Sequence, residues 1–260
     1  MAKARPVTLI TGASSGIGAE IARVFAAHGH ELVLVARREA ELRLLADEIG
    51  KTASYRPTIL AFDLTCQDAV AQISDALRVL DLEPQFVVNS AGFGILGHAA
   101  ELDPSLQLRM IDLNVRALTD LSLRFTDSLE RNRGGILNVA SVLAFLPGPE
   151  MAVYHATKSY VLSFSEALHE ELGAKRIRVT ALCPGPVDTQ FQVRADGNLA
   201  RRLVRSAERV AREGYEGLMS GQRVVVPGTI NRIFSILSRL VPRSVMFELL
   251  TSSHRRPHSP

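Results

Sequence analysis

Short runs of leucine and β-branched residues alternate with longer segments of helical period along this chain, and few folds satisfy that alternation. The runs fall at 7–11, 31–36, 57–62, 86–89, 136–141, 177–183 and 223–226, and each is nearly all apolar, as a strand covered on both faces must be. The intervening segments are long enough for crossovers between parallel strands. The expected fold class is therefore α/β: a single doubly wound parallel sheet of the Rossmann type with helices on both faces. At 260 residues and 47% hydrophobic, the chain can bury a core of that size without dividing. One domain over 1–260 is expected, with no internal repeat and no low-complexity tract.

Three segments add detail to that alternation. From Pro104 to Glu130, Asp103 is positioned as a cap and Pro104 as the first helical residue. Leu106, Met110, Leu113, Ala117 and Leu121 then recur on one face, so the spacing predicts one long helix ended by Gly134-Gly135. Residues 186–222 break the rhythm with Gly197, Gly214, Gly217, Gly221 and many arginines, and a substrate lid is expected there. After Val226-Pro-Gly228, residues Ile230, Ile233, Phe234, Leu237, Leu240 and Val241 fall at helical spacing, opposite Asn231, Arg232, Ser235, Ser238 and Arg239. This amphipathic helix opens a C-terminal extension over 228–250. Its stripe is expected to pack on its own domain or on a sister subunit of a homodimer or homotetramer. Peripheral contact with a membrane is the alternative.

Composition excludes several classes of function. Cys66 and Cys183 are far apart, and no His/Cys cluster has ligand spacing, so free buried thiols, a reducing cytoplasmic compartment and no metal are expected. The start runs directly into the first strand, which argues against a secretory signal, and no apolar run is long enough to span a bilayer. Charge is uneven: residues 1–193 carry 18 basic and 22 acidic side chains, whereas 194–260 carry 12 arginines against 5 acids. A phosphorylated cofactor, an acidic carrier or an anionic lipid surface would suit that basic end. Nucleic acid would not, because no aromatic interleaving or binding motif accompanies the arginines.

Gly12-x-x-x-Gly16-x-Gly18 follows the first strand and opens a helix. Glycines there let the backbone turn tightly and approach a pyrophosphate, whose charge rests on the N–H groups of the helix N-terminus. About 20 residues further on, such folds carry an acid for an adenosine ribose or an arginine for its 2′-phosphate. Here the second strand ends in Ala36-Arg37-Arg38, so NADP(H) is expected in preference to NAD(H); the plain alternative is a pair of surface arginines.

Tyr154 precedes Lys158 by four residues, one helical turn on the same face. An ammonium there is expected to lower the phenol's pKa towards neutrality and suit it to acid–base work. His155 is turned off that face and reads as packing or surface.

Over residues 7 to about 190 the chain resembles the short-chain dehydrogenases/reductases. Thr11-Gly-Ala-Ser-Ser-Gly-Ile-Gly18 is similar to the family's cofactor loop, Asp63-Leu64 to its adenine-contacting pair, and Asn89-Ser-Ala-Gly92 to its segment after the fourth strand, with Ser90 where the family usually has Asn. Pro184-Gly-Pro-Val-Asp-Thr189 is similar to the loop that holds the nicotinamide amide. The resemblance implies a catalytic set of Asn114, Ser141, Tyr154 and Lys158. It implies cofactor contacts from Gly12, Ser14, Ser15, Gly16, Ile17, Gly18, Arg37, Arg38, Asp63, Leu64, Asn89, Ala91, Gly92, Tyr154, Lys158, Pro184, Gly185, Val187 and Thr189. Tyr154 would exchange a proton with the substrate oxygen, Ser141 would donate to that oxygen, Lys158 would tune Tyr154 and bind ribose, and Asn114 would hold a water of the proton relay. The reading is an NADP(H)-dependent oxidoreductase that interconverts a ketone or aldehyde and an alcohol, with an apolar or acyl small-molecule substrate such as a 3-oxoacyl or steroid-like ketone. A non-catalytic NADP(H) sensor on the same fold is the alternative, though a pure binder needs no Tyr154 hydroxyl. A nucleotide-sugar epimerase would want a longer chain.

Overall fold

The apolar runs become the strands of one parallel sheet in a computed structural model that describes residues 4–188 and 204–240. The strands are β1 (Arg5–Thr11), β2 (Leu32–Ala36), β3 (Thr58–Ala61), β4 (Leu82–Asn89), β5 (Gly135–Val139), β6 (Arg178–Leu182) and β7 (Val224–Val225). Their order is β3-β2-β1-β4-β5-β6-β7, with every pairing parallel. The order reverses between β1 and β4, the position at which open sheets of this kind form a crevice beyond the carboxyl ends of their strands.

Alternation along each strand explains the two faces. Ile10, Leu34, Val88 and Leu137 pack under α1 (Gly16–Ala27) and α2 (Glu39–Gly50), while their neighbours Leu9, Val33, Val87 and Ile136 pack under α3 (Ala69–Val79) and α7 (Ala152–Gly173). Successive side chains of a strand point to opposite faces, so a strand apolar at every position feeds both layers.

The long helix expected from Pro104 is interrupted. Asp103 does cap α4 (Pro104–Ile111), its side chain accepting from Ser105 N. The chain then makes a π-helical turn over Asp112–Ala117 before α5 (Leu118–Arg124) and α6 (Thr126–Arg131). Met110, Ala117 and Leu121 are buried as the spacing requires, whereas Leu106 is exposed.

The break in rhythm after residue 186 has a different cause from the one expected. Residues 189–203 lie outside the described residues, but Ala207–Met219 (α8) is a regular helix that closes the α1–α2 face of the sheet with Val210, Ala211, Tyr215 and Leu218. Its small residues let it approach closely: a Cβ on Gly214 would lie 2.8 Å from Leu182 Cδ2, and one on Gly217 only 2.2 Å from Val225 Cγ2. Glycine at a helix–sheet contact hides the apolar periodicity that marks a core helix, so the expectation of a lid does not extend to 207–219. A last helix, α9 (Thr229–Leu240), follows β7; Val241 and the rest of the 228–250 extension lie outside the described residues. Cys183 is buried, but Cys66 is exposed in the loop after β3, contrary to expectation. Among the described residues no helix is long and apolar enough to cross a membrane, and no group of three or more potential ligands could hold a metal ion.

Candidate active site

A cavity of about 770 Å³ opens beyond the carboxyl ends of the strands. Its floor is the turn from β1 into α1. Gly12 and Gly16 take positive φ of 67° and 57°, and a Cβ on Gly12 would lie 2.8 Å from the Ala91 backbone. A Cβ on Gly18 would lie 2.3 Å from Gly12 O. Both clashes are with backbone, which cannot swing aside, so only glycine fits. Ser15 stands at the N-cap of α1 without a side-chain capping bond, leaving the first-turn N–H groups facing the cavity for an anion. Thr11 Oγ1 fixes the opposite wall, accepting from Ser90 N at 3.1 Å and Ala91 N at 3.2 Å. Glycine cradle, bare helix N-terminus and narrow cavity together fit a dinucleotide.

The two arginines after β2 do different things. Arg38 reaches back over the glycine turn, its Nη2 donating to Ser15 Oγ at 2.7 Å and Ser14 Oγ at 3.0 Å. Arg37 sits on the other side, its Nη1 3.8 Å from Asp63 Oδ2. Burial pushes the Asp63 carboxyl up, but hydrogen bonds from Thr65 N and Oγ1 and the Arg37 charge outweigh it, so its pKa lies below the ordinary value. Ala36, the last residue of β2, brings no acid to this end of the cavity.

At the other end Tyr154 and Lys158 project from α7. Tyr154 is buried and hydrogen-bonded to Ser141, which leaves β5 as the cap of a 3₁₀ turn (Val142–Phe145). Burial pushes the phenol up to about 12, with the Ser141 bond pulling the other way. Burial brings the Lys158 ammonium down to about 8, opposed by Cys183. The expected lowering of Tyr154 by Lys158 is therefore not met. The ammonium lies 5.8 Å from the ring centroid and gives its Nζ to Val139 O at 2.8 Å, while removal from water penalises both charged forms. Perturbation of two neighbouring titratable groups in a cleft marks a functional site.

Asn114 sits in the π-helical turn, a feature common at functional sites. Its amide clamps the loop after β4: Nδ2 donates to Phe93 O at 3.0 Å and Thr157 Oγ1 at 3.1 Å, and Oδ1 accepts from Phe93 N at 3.2 Å. That loop runs against the catalytic side chains. A Cβ on Gly92 would lie 3.5 Å from Lys158 Nζ, and one on Gly94 2.8 Å from the Tyr154 ring.

Of the residues named from sequence, most line one cavity: the Gly12–Gly18 turn, Arg37, Arg38, Asp63, Leu64, Ala91, Gly92, Ser141, Tyr154, Lys158, Pro184, Gly185 and Val187. Asn89 does not reach it. Its amide donates to Ser122 Oγ at 3.0 Å and Asn138 Oδ1 at 2.8 Å, buried in the sheet behind the wall. Asn114 also stands behind the wall, and Thr189 lies outside the described residues. His155 is buried, its Nδ1 2.7 Å from Leu146 O, a packing residue as its helix position implies. Sequence reasoning missed the apolar shell around the phenol, in which Met110 and Met151 pack on Tyr154 together with Phe93, Ile95, Leu143 and Val153. The signal was present in Phe93-Gly-Ile95, directly after the Asn89-Ser-Ala-Gly92 motif.

Comparison with known proteins agrees with this geometry. A model of the short chain dehydrogenase family matches residues 6–199. A serine 3-dehydrogenase of Agrobacterium fabrum is 35% identical over 199 residues, covering 73% of this chain and 76% of its own. Among solved structures, a short-chain dehydrogenase from Sphingobium yanoikuyae in complex with NADPH superposes with a TM-score of 0.78 at 29% identity over 98% of both chains. A bulky-bulky ketone specific alcohol dehydrogenase from Comamonas testosteroni gives a TM-score of 0.77 at 29% identity, over 99% of this chain and 98% of that one.

Proposed function

The chain belongs to the short-chain dehydrogenase family, and from that membership we propose that it is an NADP(H)-dependent reductase of an apolar ketone or acyl carbonyl. It is an oxidoreductase acting on CH–OH groups with NAD(P) as acceptor, as its relatives are. The nicotinamide cofactor supplies or accepts the hydride; the chain does the rest.

Tyr154 gives its proton to the carbonyl oxygen. A phenol at about 12 is protonated throughout the neutral range, the state that donates in reduction. Ser141, already hydrogen-bonded to Tyr154, donates to the same oxygen as charge develops there. Lys158 places a positive charge behind the pair to stabilise phenolate once the proton has left, and contributes to binding the nicotinamide ribose. Asn114 holds the Phe93 loop against Tyr154.

Arg38 over the Ser14-Ser15 turn supports the preference for NADP(H): its guanidinium would pair with a 2′-phosphate, and Ala36 supplies no carboxylate for a ribose hydroxyl. The apolar shell of Phe93, Ile95, Leu143, Met151 and Val153 supports an apolar substrate, and the bulky-ketone specificity of the Comamonas protein points the same way. Oxidation of NADPH and of NADH by the purified protein, screened across bulky ketones, 3-oxoacyl thioesters and small polar aldehydes, tests both halves. Turnover confined to NADH, or to polar aldehydes, overturns the corresponding half.

A further inference from the structure

Helix α9 is built inside out. An amphipathic helix on a domain surface normally buries its apolar stripe and shows its polar face to water. Here Asn231 and Ser235 are buried, each at 7% exposure. Asn231 Nδ2 donates to Pro227 O at 2.7 Å and lies so close to Gly185 that a Cβ there would come within 2.5 Å of it. Arg232 adds a bond from Nε to Val226 O at 3.0 Å. The apolar residues face outward: Ile230 is 61% exposed, Ile233 53%, Phe234 36%, Ile236 58% and Leu237 53%. Ile230, Ile233, Phe234 and Leu237, members of the stripe expected to pack on its own domain or on a sister subunit, are uncovered by the described residues.

We propose that this face docks peripherally on an anionic membrane surface. Charge decides between the candidate occupants. Residues 229–260 carry five arginines and one glutamate, a balance that attracts anionic headgroups. Two copies of so basic a segment would instead repel one another. Area argues the same way. The five side chains offer on the order of 500 Å², as large as the biggest apolar patches of monomers but short of the roughly 800 Å² per partner of a stable interface. The polar face, with Asn231 against Gly185 in the wall of the active-site cavity, holds the helix on the protein. The inference does not rest on the proposed reaction.

Flotation of the full-length protein with vesicles of phosphatidylcholine alone, and of phosphatidylcholine mixed with phosphatidylglycerol, tests it. The expected result is association with the anionic vesicles at low salt, weakened by high salt and reduced roughly tenfold or more by the double change Ile233→Asp, Leu237→Asp. Both residues are exposed, so the variant's thermal unfolding should match wild type. The chain has no tryptophan, so Ile236→Trp provides a single tryptophan, excited selectively over tyrosine; its emission should shift to the blue on adding anionic vesicles and not neutral ones. No flotation and no blue shift overturns the proposal, as does undiminished flotation of the double variant with its fold intact. Sedimentation then identifies the occupant: a dimer lost in the double variant assigns the face to a second copy, and a monomer assigns it to the chain itself.

Discussion

Replacing Arg38 by alanine removes the guanidinium that bridges Ser14 and Ser15, and its consequence for the two cofactors differs by an amount the geometry bounds. A hydrogen bond to a charged group contributes about 1.5–3 kcal/mol, so losing the contact to a 2′-phosphate would lower kcat/KM for NADPH by roughly 10- to 150-fold at about 1.4 kcal/mol per factor of ten. Arg38 is 43% exposed in its side chain, so solvent screening places the effect near the lower end, about tenfold. NADH carries a hydroxyl at that position and should be affected less than about threefold. Arg37 is 62% exposed and already shares its charge with Asp63 at 3.8 Å, so Arg37→Ala should cost NADPH less than Arg38→Ala does. Adding Ala36→Asp to Arg38→Ala supplies an acceptor for the ribose hydroxyl and should carry the preference over to NADH. Steady-state kcat/KM for both cofactors at fixed substrate, repeated at low and high salt, reads all three variants. Equal losses with NADPH and NADH would show that Arg38 only braces the glycine turn, and a wild type that prefers NADH would refute the assignment outright.

Tyr154→Phe should lower kcat by roughly 10²- to 10⁴-fold while leaving NADPH affinity and unfolding close to wild type, because the ring keeps its buried packing and only the proton donor is lost; activity within a few-fold of wild type removes Tyr154 from the mechanism. The reduction rate should fall as pH rises through about 8, where the Lys158 ammonium is lost, since Tyr154 at about 12 remains a donor well beyond that point. A kcat–pH profile that stays flat to pH 10 refutes the role of the Lys158 charge. Gly18→Ala, with its Cβ 2.3 Å from Gly12 O, should weaken cofactor binding and lower Tm, whereas Gly173→Ala at the end of α7, where nothing lies within 4 Å, should be neutral or stabilise by about 0.4–1 kcal/mol; calorimetry with and without NADPH separates the two.

Short-range rules were enough for the sheet and for the chemistry it supports. Apolar runs such as Leu32–Ala36 can only be buried strands, three glycines between strand and helix admit a phosphate, and a four-residue spacing puts Tyr154 and Lys158 on one face of α7 whatever surrounds them. The tertiary structure decided whatever depends on approach between distant segments. Gly214 and Gly217 read as loop residues until Leu182 and Val225 are seen against them, which turned an expected lid into a core helix. The interruption of the helix after Ile111 coincides with Asn114 reaching across to Phe93 and Thr157, bonds that no local pattern announces. Arg37 and Arg38 are interchangeable in sequence and separate only when one meets Asp63 and the other meets Ser14 and Ser15. The pKa of Tyr154 was misjudged for the same reason: spacing counts the neighbouring ammonium, but desolvation depends on everything packed around the phenol, and here it prevails. Periodicity found the two faces of α9 and could not say which turns inward, because that depends on the fit of Asn231 against Gly185 and not on the helix itself.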